Sequence, residues 1–415
     1  MAMVGGMASE FRWVGPDELN RVAETRWMCY GHAGKDLPRL TEHIHTGAWS
    51  GIGDYLLAER GGGAVGTATS LPLTMWVRGS PIACQGVAWV GTVKTARRRA
   101  GGQTGVASLV MREVLRHARE REYVVSALMP FRVSFYEHFG FGVVERRAEW
   151  TLPLSAIEPG EGAGWKFVEA ADRSSLAEEW QRAVQNGQCD VERTARRWSN
   201  RSQVEEEGMN FVLRPERSAA ARASALITHE NISGRNALRL QEWSADSAED
   251  FRSLLAFLGS MRDQFSFAVL TTPINWQVNR LLREAQIPHR PVDHPTADVR
   301  HYTRLQLRIL DHRKFLESLR LPDGIKGRVS VGIAECEGTV SRISLEIESG
   351  RAKVSAASGE ADFQCRDKDW AAIATGDVAA TQAVRIGMAA STNPGAAGLL
   401  DCLAAGVAPF CREYF

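Results

Sequence analysis

Arg97-Arg98-Arg99-Ala100-Gly101-Gly102-Gln103-Thr104-Gly105-Val106-Ala107 is the stretch on which the reading of this chain turns. It follows an apolar run, Ile82 to Val93, that reads as a strand. It precedes a segment, Val106 to Glu122, whose apolar residues Val106, Leu109, Val110, Val114, Leu115 and Ala118 recur at helical spacing. A helix N-terminus presents unpaired backbone N–H groups and a partial positive charge. Glycines let a phosphate approach that backbone, and arginines add charge-assisted bonds. Strand, Arg/Gly loop and helix together make a pyrophosphate cradle, the plain alternative being a solvated basic turn. No Gly-Lys-Ser/Thr follows, so the loop is not a nucleotide-binding P-loop, and the GxGxxG dinucleotide fingerprint is absent.

Outward from this loop the first third alternates strands and helices. Asp54 to Arg60 reads as a strand, Gly61 to Gly63 as a turn, and Ala64 to Leu71 as the returning arm of a hairpin. Downstream, Val124 to Met129 is a short buried strand closed by Pro130, and a helix from Val133 to Phe139 stops at Gly140. The loop-like stretch from Pro153 to Gly164 suggests a boundary. Beyond it a similar order of strands (Asn210 to Leu213, Ala223 to Thr228, Ala237 to Trp243, Ala268 to Thr272) and helices (Ser174 to Gln185, Phe251 to Phe265, Trp276 to Ala285) recurs without an Arg/Gly loop. A third segment opens with a strand at Leu305 to Leu310 and a helix at Asp311 to Leu319. Strands at Gly327 to Ala334, Val340 to Ile347 and Ala352 to Ala356 follow, then helices at Asp367 to Thr375, Ala379 to Gly387 and Ala397 to Ala405. The fold class is α/β (α+β).

A chain of 415 residues exceeds one ordinary core, so two or three domains are expected. With 44% hydrophobic and 24% charged residues the composition is that of a folded globular protein rather than a disordered one. A formal net charge of +1 argues against a dedicated nucleic-acid binder. The seven cysteines are scattered without a CxxC pair, which indicates neither a disulfide framework nor a zinc site, and no metal is expected. The first ten residues lack a basic and apolar leader and no run is long enough to span a bilayer, so the expectation is a cytoplasmic protein that does not engage membranes.

The second motif is Val133-Ser134-Phe135-Tyr136-Glu137-His138-Phe139-Gly140-Phe141. Loop and motif together resemble the acetyl-CoA-binding and C-terminal motifs of GCN5-related N-acetyltransferases. The whole chain resembles the enhanced intracellular survival (Eis) subgroup: two tandem acetyltransferase-like domains, the second without cofactor, then a sterol-carrier-protein-like domain. That resemblance implies domains at 1–152, 153–298 and 299–415. It implies that the strand before the Arg/Gly loop splays to admit the pantetheine arm, with Val90 and Val93 giving backbone contacts. Arg98, Arg99, Gly101, Gly105 and Val106 would then hold the pyrophosphate. The family runs Arg-Arg-Arg-Gly straight into the helix, whereas here Ala100 to Thr104 intervene, so either Gly101 or Gly105 takes the first glycine position.

By the same resemblance Tyr136 donates a proton to the departing CoA thiolate, and the carboxylate of the last residue, here Phe415, accepts the proton of the attacking amine. Desolvation would raise an α-carboxyl toward a useful pKa. Trp27, Asp36 and Glu413 are the candidate substrate-binding residues, acids and an aromatic suited to a cationic amine. Aminoglycosides are the substrates the family suggests, acetylated at one or several amines, and a homohexamer is its common assembly. Two alternatives stand beside this reading: an acetyltransferase for a peptide lysine, polyamine or other small amine, and a lipid-binding protein with an inert core. A ping-pong route through Cys29 or Cys84 would need a His/Asn partner that the sequence does not provide.

Overall fold

The computed structural model describes residues 9–97, 104–158, 164–169, 176–199, 208–213, 222–283 and 296–415. It divides into two units: Met1–Val144 with Leu305–Ala405 and Glu413–Phe415, and Glu145–Arg304 with Gly406–Arg412. Arg98, Arg99 and Gly101 lie outside the described residues.

In the first unit β1 (Glu10–Val14) leads into α1 (Leu19–Tyr30) and α2 (Asp36–Thr46). Then come β2 (Asp54–Arg60), β3 (Gly63–Val77) and β4 (Ser80–Thr92), an antiparallel meander whose turn residues Gly61, Gly62 and Gly79 take positive φ. Next follow α3 (Val106–Glu120), β5 (Val125–Leu128), the short α4 (Val133–Glu137) and β6 (Gly142–Val143). The apolar stripe of α3, Val106, Val110, Met111, Val114 and Leu115, packs on Leu56, Ala58, Ala68 and Val87 of one sheet face. On the alternate positions of the strands, Tyr55 and Leu57 face the other way and pack with Val22, Ala23 and Ile44 of α1 and α2. In mid-sheet the buried Gln85 donates to Ser70 (2.9 Å) and to the Val114 carbonyl (3.1 Å) and accepts from Ser126 (2.8 Å), so its amide is satisfied.

The second unit holds β7 (Arg146–Pro153), β8 (Trp165–Val168), α5 (Ala177–Gln185), β9 (Asp190–Val191) and α6 (Ala195–Ser199). They are followed by β10 (Met209–Leu213), β11 (Ala223–Ile232), β12 (Arg235–Ala245), α7 (Ala248–Gly259), β13 (Phe267–Pro273) and β14 (Asp298–Thr303). Its sheet runs β14-β7-β13-β12-β11-β10-β8. The helix expected at 251–265 begins earlier, at Ala248, because Ser247 caps it by accepting the Asp250 N–H (3.1 Å). In place of the helix expected from Trp276, the described residues show one 3-10 turn, Val278–Leu281.

The chain then returns to the first unit. β15 (Gln306–Ile309), the strand expected to open the third segment, inserts between β5 and β6, giving the order β1-β2-β3-β4-β5-β15-β6. After α8 (His312–Ser318) come β16 (Gly327–Ala334), β17 (Val340–Glu348), β18 (Arg351–Ala356), β19 (Phe363–Arg366), α9 (Asp367–Ala374), α10 (Ala380–Arg385), β20 (Ala389–Ser391) and α11 (Pro394–Leu400). These strands form a third sheet, β18-β17-β16-β19-β20. α9, with Trp370 to Ala374 buried, presses against β6: a Cβ on Gly142 would collide with the Lys368 carbonyl. Overpacking against a backbone atom cannot relax by a rotamer change. Gly142→Ala is therefore expected to destabilise by about 1–3 kcal/mol or more, read as a lower urea midpoint at unchanged m-value.

Candidate active site

The site is built where β4 and β5 part. They pair in parallel over three positions only, Cys84 with Val125, Gln85 with Ser126 and Gly86 with Ala127, while β4 runs on to Thr92. A bulge drives the departure: between the pairs Thr69–Ala88 and Thr67–Gly91, β4 carries one residue more than β3. Trp89 sits in that bulge with φ at 55°, a left-handed conformation unusual for an aromatic residue. Three side chains surround its ring. The Arg26 guanidinium lies 4.7 Å from the Trp89 ring, Tyr30 meets it edge-on at 5.7 Å, and the His43 ring is 5.7 Å away.

Beyond the bulge a cavity of about 650 Å³ opens, lined by residues of five segments: Tyr30, Arg60, Val90 to Thr92, Ala96 and Arg97 with Thr104 to Ala107, and Phe131, Arg132 and Phe135. Gly105 caps α3 and Val106 begins it, so the free N–H groups of the first turn belong to the cavity wall. Arg97 donates to the Thr92 and Cys29 carbonyls (3.3 and 3.2 Å), which fixes a cation at the same mouth. Phe131 is 77% exposed at the rim. An anion-compatible helix end, three arginines (Arg60, Arg97 and Arg132) and an apolar wall suit a long ligand with a phosphate end and an apolar arm.

Of the sequence candidates, Val90, Gly105 and Val106 line this cavity. Val93 does not: its N–H is given to Val65 (2.9 Å) and its carbonyl accepts from Ala96 (2.8 Å). The Val90 carbonyl accepts the Tyr30 hydroxyl. Tyr136 is buried among Phe131, Phe135 and Phe141, with ring centroids 6.0, 4.9 and 6.3 Å away. Burial pushes its phenol up to about 12. Burial also raises Tyr30, with smaller contributions from Cys29 and from Tyr136, so the two phenols are electrostatic neighbours.

The short helix that carries Tyr136 is clamped from outside. Arg308 donates to the Phe139 carbonyl (2.7 Å), Gln306 to the Phe141 carbonyl (3.3 Å), and Lys368 pairs with Glu137 (2.8 Å).

Phe415 is buried. A Cβ on Gly86 would lie 2.5 Å from Leu73 Cδ1 and 3.0 Å from Phe415 Cδ2, so the Phe415 ring packs closely over the last β4 residue that pairs with β5. Gln85 faces α3, hence Gly86 and the Phe415 ring belong to the α1/α2 face. Glu413 is buried too. Trp27 donates to the Ala33 carbonyl (3.0 Å), and Asp36 accepts from the His32 and Ala33 N–H groups (2.7 and 2.9 Å). Those bonds, Ala33 first, hold its carboxyl below the usual range and commit it to the turn before α2. Cys336, Glu337 and Asp367 bring ligand atoms within 4.8 Å of one another, yet Glu337 is paired with Arg308 (2.7 Å) and Asp367 accepts the Cys336 N–H (2.7 Å), so its charges are already balanced.

Residues 10–144 match the model of the acetyltransferase (GNAT) domain family. An uncharacterized N-acetyltransferase of Streptomyces avermitilis is 24% identical over 377 residues, 85% of this chain and 86% of that one. Among solved structures, a GCN5-related N-acetyltransferase from Anabaena variabilis superposes with a TM-score of 0.80 at 18% identity, covering 98% of this chain and 100% of that one. Eis1 from Mycobacterium abscessus gives 0.79 at 18% identity with the same coverage.

The cysteines nearest the cavity are poor nucleophiles. Burial raises the Cys29 thiol to about 11 and Cys84 higher still. At pH 7 about one Cys29 in ten thousand would then be a thiolate. Cys29→Ala should keep acetyl transfer within a few-fold of wild type, and no acetyl-enzyme should be trapped by mass spectrometry after mixing with acetyl-CoA alone. The first unit thus carries an acetyltransferase (GNAT) domain, and the protein is an N-acetyltransferase of the GNAT type with acetyl-CoA as its cosubstrate.

Proposed function

We propose that the protein acetylates a primary amine by direct attack on the acetyl-CoA thioester, with Tyr136 as general acid and the Phe415 carboxylate as general base. The amine nitrogen bonds to the thioester carbonyl carbon, and its proton passes to the carboxylate directly or through a water. As the tetrahedral adduct collapses the C–S bond breaks, and Tyr136 gives its proton to the leaving thiolate. The observation that carries this reading is the buried Tyr136 phenol, an electrostatic neighbour of the cavity-lining Tyr30. Burial holds the Tyr136 phenol up to about 12, so it is protonated throughout the neutral range, as an acid must be. The Phe415 ring, packed over Gly86 on the α1/α2 face, supports the second role.

In the same reading Val90 contacts pantetheine, while Arg98, Arg99, Gly101, Gly105 and Val106 receive the pyrophosphate. Residues 299–415 form a sterol-carrier-like segment, which lends β15 to the first sheet. Family resemblance points to aminoglycosides as acceptors and to a hexamer as the assembly.

The test is thiol release from acetyl-CoA against aminoglycosides, polyamines, amino acids and lysine-containing peptides. Tyr136→Phe keeps the ring packing and should lower kcat about 10²-fold or more with little change in KM for acetyl-CoA. Adding residues after Phe415 replaces the carboxylate by a peptide carbonyl and should lower kcat comparably. Between pH 7 and 9 wild-type kcat should show no decline, because a raised phenol pKa keeps the acid form present until well above that range. Folded protein without turnover on any amine would instead favour the ligand-binding reading.

A further inference from the structure

Arg26 is a buried cation with no carboxylate paired to it among the described residues. It projects from the apolar face of α1, in register with Val22 and Ala23, and is only 2% exposed. Its guanidinium lies between the rings of Trp89 (4.7 Å) and Tyr55 (5.4 Å), and Nη2 donates to Thr69 Oγ1 at 2.7 Å. The Nε–H is buried and has no acceptor. Among the described residues no carboxylate pairs with it. The other residues of this unit, 1–8 and 98–103, contain no aspartate or glutamate at all. Burial lowers the Arg26 pKa to about 10, which leaves it charged at neutral pH.

Such an arrangement is costly. A guanidinium carries five N–H donors, and a protein normally answers a buried one with a carboxylate. Ring faces return part of the cost through cation–π attraction, but they do not satisfy N–H groups in the way an oxygen does. His43 is no counterion: burial, followed by the charges of Arg26 and Arg39, pushes its pKa down, so it faces Trp89 as a neutral ring.

The position of this charge makes it relevant to the acceptor. Trp89, under the guanidinium, is the bulge residue next to Val90. Val90 lines the cavity, as does Tyr30, one helical turn along α1 from Arg26. Thr69 and Tyr55 belong to the same sheet face as Gly86 and the Phe415 ring. An arginine fork is the group best matched to a carboxylate, and its field repels a polycation.

We infer that Arg26 receives a carboxylate of the acceptor, so compounds carrying both a primary amine and a carboxylate are preferred over the polycationic aminoglycosides that family resemblance alone suggests. This rests on the acetyl-transfer reading for the amine but not for the anion site.

The experiment is calorimetric titration of the full-length protein, with CoA present, using a series of linear ω-amino acids and their carboxamides. At the best chain length the acid should bind at least 10-fold more tightly than its amide. Arg26→Met should abolish that advantage while leaving the amide's affinity unchanged. Its melting temperature should be equal to or above wild type, since an uncompensated buried charge has been removed. Equal binding of acid and amide to the wild type would overturn the inference. So would an Arg26→Met protein that weakens both ligands alike or melts far lower, either of which makes Arg26 a prop for Trp89. Should that variant not fold, the wild-type comparison still decides, and Arg26→Lys should retain only part of the preference for the acid. Acid-selective binding without thiol release would leave the anion site standing and remove the acetyl-transfer reading. Turnover without acid preference would do the reverse.

Discussion

Everything chemical in the first unit depends on two neighbouring strands failing to stay together. β4 and β5 share three parallel pairs, and past Gly86 the backbone of β4 is led away by a bulge whose extra residue adopts a left-handed conformation. A parted pair exposes backbone N–H and C=O groups in the middle of a sheet, a loss that an ordinary core would not sustain. Here the freed edge becomes one wall of a cavity, the N-terminus of α3 becomes another, and the aromatic run around Tyr136 closes the third. The Tyr30 and His43 rings pack against the left-handed Trp89, so the opening is a built feature rather than a flaw in pairing.

The second unit shows the same device disarmed. β12 and β13 are also parallel over three positions, Ala237 to Arg239 against Phe267 to Val269, and then diverge. In that gap Trp243 donates to the Thr271 carbonyl (2.9 Å), with the rings of Phe251 and Trp276 5.1 and 5.5 Å from its own. The parted edge is thus closed by an indole N–H and filled by aromatics, a stable core and a poor channel.

How much of this was legible in the sequence follows from the range of each signal. The β2–β3 hairpin, the α3 stripe and the 327–334 strand were readable because their patterns are local and their residues propensity-consistent. β15 was recognised as a strand but not as a member of the first sheet, since nothing in Gln306 to Ile309 says which edge it will pair with. α1 and α2 were not read as helices: their buried faces are narrow, and in α1 an arginine occupies one position of the stripe Val22, Ala23, Arg26. That interruption is the signal for Arg26 in the sequence: an arginine at a position the stripe reserves for an apolar side chain. Asp36 illustrates the opposite case: an acid in a suggestive region whose lone pairs are spent on two backbone N–H groups of its own turn.

Tyr136 is positioned by residues far from it in sequence. The α4 turn is too short to hold an orientation by itself; the carbonyls of Phe139 and Phe141, just after it, are fixed by Arg308 and Gln306 of β15, and its Glu137 by Lys368. The stretch 10–144 that matches the acetyltransferase family is therefore not structurally complete: without β15 the β5 edge would be unpaired and the general-acid candidate would lose two of its polar anchors. The intervening 160 residues from Glu145 to Arg304 form a unit of their own, so the chain must finish that unit, return, and insert one four-residue strand before the tyrosine is held in place. A long-range insertion of this kind delays the last contact of the sheet, and it links the catalytic competence of the N-terminal motif to the folding of the segment after residue 305.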